Sequence, residues 1–142
     1  MEYPKLKSIT AYKNDKVTLR YCKDYPNTKM HSEEALKELM KFIWLCLKHN
    51  SDKEKNPYNP LLNFSCTIHQ EMADIDNIWH TFLLFTRDYQ NFCDQYLRGN
   101  FFHHEPITSK IKLNKNYEQE LTLYLSYIYD NLGKSTLLKW FR

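Results

Sequence analysis

Glycine and proline are scarce in this chain, which has two glycines and five prolines among 142 residues. Antiparallel β-sandwiches and barrels depend on many tight turns, and these two residue types supply a large share of them. The scarcity therefore argues against a turn-rich β fold and favours helices. A length of 142 residues suits one domain with a sizeable core.

Long apolar runs and paired cysteines are also missing. No run of about 18 apolar residues is present, so we expect no transmembrane helix. The first ten residues, MEYPKLKSIT, lack the apolar core of a signal peptide. The cysteines form no C-x-x-C pair, which disfavours a zinc ribbon or a thioredoxin-like motif; they are Cys22, Cys46, Cys66 and Cys93. These absences predict a cytoplasmic protein with reduced thiols and no membrane association.

Several functional signatures are absent as well. The chain has no P-loop, no G-x-G-x-x-G, no nucleophile elbow and no zinc-peptidase motif. Its basic residues are scattered, and no nucleic-acid recognition motif is present. Residues 61–106 carry two basic and six acidic side chains, a net charge of −4. Such a segment suits a cation or a basic partner and disfavours nucleic acid.

Aromatic residues, in contrast, are plentiful, with eleven Tyr, eight Phe and three Trp. The stretch Asp74 to Pro106 is the part around which the rest of the chain is expected to pack. Apolar side chains recur there in alternating steps of three and four residues, at Ile75, Ile78, Phe82, Phe85, Tyr89, Phe92 and Tyr96. This spacing predicts one long helix from about Asp74 to Leu97, ended by Gly99 in the left-handed conformation. The alternative is a break near Thr86, which could cap a second helix.

Candidate functional residues lie at both ends of this stretch. Asp76 and His80 are four residues apart, so on a helix they share one face, where they could form a hydrogen-bonded pair or bind a metal. His103 and His104 follow the turn at Gly99. Adjacent residues of an extended segment point to opposite sides, so one histidine of this pair would face the site while the other packs or caps.

The helix geometry decides whether these residues form one site. In a straight helix His80 lies about 25 Å from Leu97, at ~1.5 Å for each of the 17 intervening steps. The return from Gly99 to His103 spans at most about 14 Å. A shared site therefore requires the break near Thr86. In a straight helix, Cys93 would instead be the neighbour of His103 or His104.

A resemblance to a known family is carried by three motifs in this block: Asp76-x-x-Trp79-His80-Thr81-Phe82, Tyr89-x-x-Phe92-Cys93 and Gly99-x-Phe101-x-His103-His104-x-Pro106. They resemble a family of domains of unknown function that occurs in small bacterial proteins and in plant glycine-rich-domain-containing proteins. The resemblance implies a compact, mostly helical domain and no established activity. It implies that the signature positions are Asp76, Trp79, His80, Cys93, Gly99, His103 and His104. The Gly-rich tail of the plant members is absent here.

The whole chain is predicted to be one all-α domain of about four to five helices. Residues 1–16 are expected to form a flexible basic arm. Residues 17–25 alternate enough for a strand, but Asp15 could cap a short helix there, and the resemblance favours the helix. Ser32 is predicted to begin a strong, largely buried helix that ends near Asn50. Residues 107–115 are expected to form a basic linker before a helix that Gly133 ends. Ser135 is expected to cap a last short turn, whose apolar residues pack on the core.

Three functions remain open from the sequence. The first is a protein-interaction module, such as an inhibitor or adaptor, because tyrosine-rich surfaces suit docking. The second is a metal-binding domain, with zinc as the first candidate and hydrolysis as a further role, using Asp76, His80, His103 and His104, with Cys93 as an additional ligand. The third is a metal-free enzyme with Asp76 and His80 as the general base, which is disfavoured because no nucleophile lies beside them.

Overall fold

The computed structural model describes residues 3–104 and 116–142, and these ranges are all-α, with no strand. The α-helices are α1 (Leu6–Thr10), α2 (Asp15–Asp24), α3 (Ser32–Lys55), α4 (Ala73–Leu84), α5 (Thr86–Tyr96) and α6 (Tyr117–Trp140), and two short 3-10 helices span Pro60–Leu62 and Gln70–Met72. The predicted all-α fold is therefore confirmed. The predicted linker at 107–115 and Pro106 lie outside the described residues.

The N-terminal region is attached to the core. Within the stretch predicted to be a flexible arm, α1 forms and packs on α3, and its Ile9 is fully buried. Burial of this side chain outweighs the polar character of its neighbours.

The predicted helix that follows is present as α2. Its N-cap is Asn14, whose side chain accepts a hydrogen bond from the Val17 amide, so the helix begins two residues earlier than predicted.

Helix α3 lies at the centre of the fold and contacts α1, α2, α4 and α6. It is apolar over most of its circumference, as predicted, and it continues beyond Asn50 to Lys55. Two contacts explain the extra turn. The Asp52 carboxylate accepts hydrogen bonds from Lys48 Nζ at 2.7 Å and from the Tyr127 hydroxyl at 2.6 Å, and Tyr127 lies on α6. The last turn of α3 is thus attached to another helix, which a local sequence pattern cannot indicate.

The predicted single central helix is wrong, because the chain breaks at Phe85, where ψ is 73°. Helices α4 and α5 fold together at this corner. Phe82 and Phe92 would lie about 15 Å apart along a straight helix, yet their ring centroids are 5.5 Å apart. Tyr12, which precedes α2, stacks on Phe82 at 5.6 Å and meets Phe92 at 5.1 Å. The break therefore lets three aromatic rings bury one another, which stabilises the corner without glycine or proline.

Helix α6 closes the fold against α3. Gly133 interrupts it with φ 90° and ψ 169°, so the predicted stop at this residue is a sharp change of direction followed by one more helical stretch. Trp140 then enters the core fully buried, and its indole N–H donates to Glu38 Oε1 at 2.9 Å. One continuous apolar core joins residues from Ile9 to Trp140. Within the described ranges, no helix combines the length and the apolar character needed to cross a membrane.

Candidate metal centre

Helix α4 contributes the first two side chains of the site. Asp76 and His80 are one helical turn apart on the edge of α4, next to the buried face that carries Ile75, Ile78 and Trp79. The Asp76 side chain is 20% exposed and that of His80 is 50% exposed. Asp76 Oδ2 lies 3.8 Å from His80 Nδ1. The predicted pairing on one helix face is present, at a distance longer than a hydrogen bond.

The chain returns to α4 through a turn after α5. Arg98 and Gly99 both have positive φ, at 56° and 83°, as predicted for Gly99. The Gly99 amide donates to the Cys93 carbonyl at 3.1 Å, which closes the helix in the manner of a Schellman motif. Residues 100–104 then run back past α4 without regular secondary structure. This short segment brings a histidine to the side of Asp76.

His104 is the histidine that reaches the site. Its Nε2 lies 2.6 Å from Asp76 Oδ1, which is a hydrogen-bonding distance. Its ring stacks on that of His80 at 4.5 Å and packs against Trp79 at 4.3 Å. The His104 side chain is 9% exposed. Asp76, His80 and His104 therefore converge, and one ligand atom from each lies within 4.8 Å of the others.

A buried hydroxyl holds the returning segment in place. Tyr89 on α5 donates to the Phe102 carbonyl at 2.5 Å and accepts a hydrogen bond from Trp79 Nε1 at 3.1 Å. The Phe102 ring stacks on Trp79 at 5.3 Å. Burial raises the pKa of Tyr89 above its ordinary value, so the hydroxyl remains a donor at neutral pH. Sequence reasoning placed Tyr89 in the apolar face of a helix and missed this function, because a buried tyrosine hydroxyl gives no signal of its partner.

Two predicted site residues lie outside the cluster. His103 is exposed, and its ring contacts that of Phe101 at 4.9 Å. The expectation that adjacent histidines point to opposite sides is thus confirmed, and His104, rather than His103, faces Asp76. Cys93 is fully buried. Burial raises its pKa, so Cys93 is a packed neutral thiol and does not join the three clustered side chains.

The three clustered side chains have donor atoms that suit a metal ion. Imidazole nitrogen and carboxylate oxygen both bind Zn²⁺, at about 2.0–2.2 Å. Two ligands of one tetrahedral zinc ion lie about 3.3–3.6 Å apart at these bond lengths, so a cluster whose ligand atoms lie within 4.8 Å of one another requires a movement to hold the ion. His80 can supply it, because half of its side chain is exposed. The same geometry also suits a proton shared between Asp76 and His104.

The described residues thus form an all-helical domain with an Asp/His cluster between α4 and the segment after α5. The chain belongs to the UCP032817-like family, which it matches over residues 5–130 and which is uncharacterised. The expected membership of a family of unknown function is therefore confirmed, but the matching family is not the glycine-rich-domain family that the motifs suggested. No curated protein and no solved structure matches the chain.

The tyrosines that suggested a docking surface are largely inside the protein. Of the eleven, Tyr58 and Tyr129 are exposed, whereas the others are buried or partly buried. Tyr21, Tyr89, Tyr124 and Tyr127 belong to the core. The abundance of tyrosine in the sequence thus reflects packing at helix contacts more than surface chemistry.

Proposed function

We propose that the protein binds one divalent transition-metal ion, with zinc as the expected metal, through Asp76, His80 and His104. The observation that supports this proposal is the convergence of three ligand atoms within 4.8 Å, from α4 and from the segment after α5. Two imidazoles and one carboxylate are a ligand set found in zinc and non-haem iron sites. The acidic character of residues 61–106 favours a cation at this position.

Other side chains hold His104 in place, as the residues surrounding the ligands of a metal site do. Trp79 and Phe102 pack around His104, and the Tyr89 hydroxyl bonds to the Phe102 carbonyl. Groups of this kind orient a ligand and contribute to metal affinity. Three protein ligands leave a coordination position for water, which is the arrangement of catalytic rather than structural zinc sites. A hydrolytic role is the chemistry that such a position would supply.

The test is elemental analysis of protein purified without chelator, followed by titration of the metal-free protein with Zn²⁺. We expect near-stoichiometric metal in the wild type and its loss in Asp76→Asn, His80→Ala and His104→Ala. The matched control is His103→Ala, which removes an exposed neighbouring imidazole and should leave metal binding unchanged. Circular dichroism of each variant establishes that it is folded.

Two results would contradict the proposal. Failure of the folded wild type to bind Zn²⁺ or Fe²⁺ at micromolar concentration would make the cluster a hydrogen-bonded structural pair. Equal binding by the wild type and all three ligand variants would place the metal elsewhere. Retention in His103→Ala together with loss in the three variants is the pattern that supports the assignment.

That the protein acts as an inhibitor or adaptor of a partner protein remains a prediction from the sequence, and so does its cytoplasmic location. The tyrosine content supports a protein partner less strongly once the fold is known, because most tyrosines are buried or partly buried. Metal binding is therefore the function that the arrangement of the described residues supports better.

A further inference from the structure

A second cluster of reactive side chains lies away from the Asp/His site. Cys46 is in the middle of α3, and Cys66 lies on the segment between the two 3-10 helices. The Cys46 thiol donates to the Cys66 carbonyl at 3.6 Å, which places the two cysteines side by side. Both are free thiols. The fold has therefore brought together two cysteines that are 20 residues apart in the chain.

The segment that carries Cys66 is attached on both sides. The Tyr124 hydroxyl on α6 donates to the Thr67 carbonyl at 2.8 Å, next to the cysteine. His49 on α3 hydrogen-bonds through Nε2 with the Leu62 carbonyl at 3.0 Å, and its ring stacks on Phe64 at 4.1 Å. These contacts keep Cys66 against α3, so the two thiols share a high effective concentration.

The two thiols differ in access to solvent. Cys46 is 6% exposed, whereas Cys66 is partly exposed. Burial, with the Cys66 side chain close by, raises the pKa of Cys46 well above its ordinary value. Because Cys66 is the more exposed of the two thiols, it is the one that an oxidant in water reaches first.

We propose that Cys46 and Cys66 form a reversible disulfide when the protein meets a peroxide. In the first step, the Cys66 thiolate attacks one oxygen of hydrogen peroxide, and the O–O bond breaks. Cys66 becomes a sulfenic acid, and the departing hydroxide becomes water with the proton that the Cys66 thiol released when it ionised. In the second step, the Cys46 sulfur attacks the sulfenic sulfur. The S–O bond breaks, and the hydroxyl leaves as water with the Cys46 proton.

Across both steps, two thiols are oxidised by two electrons and one peroxide is reduced to two waters. The new bond would join α3 to the segment that leads into α4, and therefore to the helix that carries Asp76 and His80. A thiol reductant reverses it by exchange. The inference stands independently of metal binding, since neither cysteine belongs to the Asp/His cluster.

The test is peptide mapping of the full chain after hydrogen peroxide treatment and alkylation of remaining thiols in denaturant. Trypsin places each cysteine on its own peptide, with Cys46 on residues 42–48 and Cys66 on residues 56–87. We expect an intact mass lower by two hydrogen atoms, a linked pair of these two peptides, and full reversal by dithiothreitol. Cys22, which is exposed, should still react with the alkylating reagent, and this shows that peroxide has not linked two chains through it.

Variants sharpen the test. Cys66→Ser should abolish the linked peptides, and Cys22→Ser, which changes an exposed thiol, should leave them unchanged. The proposal is overturned if peroxide links Cys22 or Cys93 instead. It is equally overturned if Cys66 accumulates as sulfinic acid without a link. Because the wild type alone reports which peptides are joined, the outcome does not depend on whether a variant folds.

Discussion

Asp76 and His104 meet at 2.6 Å although 28 residues separate them in the chain. The contact exists because α5 folds back at Phe85 and the segment after Gly99 returns to α4. Three separate features cooperate in it: the aromatic corner, the left-handed turn and the Tyr89 hydroxyl. Substitutions can test how much these features stabilise the fold, and the same holds for two buried polar groups elsewhere in it.

Tyr89→Phe should destabilise the protein and weaken metal binding. The change leaves the Trp79 N–H and the Phe102 carbonyl without their hydroxyl partner, at a cost of about 1–3 kcal/mol for buried groups left unpaired. His104 would then be less firmly positioned, so Zn²⁺ affinity should fall about tenfold or more. Urea unfolding and zinc titration measure the two effects. Tyr96→Phe is the control, since Tyr96 is a partly exposed tyrosine of the same helix that does not bond to Trp79 or Phe102, and equal losses in both variants would contradict the assignment.

Phe82→Ala should destabilise the corner between α4 and α5. Phe82 is fully buried and contacts the rings of Tyr12, Tyr89 and Phe92. Removing a buried phenyl ring typically costs about 3–5 kcal/mol. Leu84→Ala lies two residues away at a side chain that is 60% exposed, and it should change stability by less than ~0.5 kcal/mol. Denaturant midpoints compare the two, and similar values would mean that the rings do not stabilise the break.

Glu38→Ala should be strongly destabilising. The Glu38 side chain is 1% exposed, accepts a hydrogen bond from Trp140 Nε1 and forms an ion pair with Lys41 at 3.0 Å. Its removal leaves a buried indole N–H without its acceptor and a partly buried ammonium without its carboxylate partner, which costs about 3–5 kcal/mol. Glu34→Ala removes a half-exposed partner of Lys139 and should cost at most about 1 kcal/mol. Thermal unfolding of both variants compares the loss of stability at the buried carboxylate of Glu38 with the loss at the surface carboxylate of Glu34.

The stability of the protein should decline in mild acid partly because of His49. Burial lowers the pKa of His49 below its ordinary 6.5, and the pKa of His69 is lowered for the same reason. As the pH falls, the unfolded chain therefore binds these protons before the folded chain does. The contribution of these two neutral histidines to the free energy of unfolding is complete well above pH 6.5. It decreases as the pH drops through 6.5 toward the pKa values of the folded state.

The measurement is the urea midpoint of the wild type and His49→Gln at neutral pH and at about pH 5.5. The substitution should reduce the loss of stability between the two pH values, since glutamine does not titrate. His31→Gln changes an exposed histidine and should retain the full pH dependence. A slope that is the same in all three proteins would show that His49 does not contribute.

Much of the helical content follows from local patterns. The apolar stripe after Ser32, the spacing from Ile75 to Tyr96, and the glycines at 99 and 133 are signals carried by neighbouring residues. The errors lie where tertiary contacts override such signals. Helix α3 gains a turn because Asp52 bonds to Tyr127 on α6, and Ile9 draws the polar N-terminal region onto α3.

The candidate site was predicted in part for the same reason. The pairing of Asp76 with His80 follows from the helical period. The choice of His104 over His103 depends on where Phe102 packs, and that is determined by Trp79 and Tyr89 in the folded core. The neighbouring positions of Cys46 and Cys66 are likewise invisible in their spacing.

By itself, the sequence determined that the chain is helical, that aromatic side chains form its central contacts, and which histidines and carboxylates could share a face. These properties depend on periodicity and composition, which act over a few residues. Only the tertiary structure decided that the central helix bends at Phe85, that His104 bonds to Asp76, and that two distant thiols meet. Those outcomes depend on the burial of rings such as Phe82 and Phe92 against one another, which is a property of the whole core.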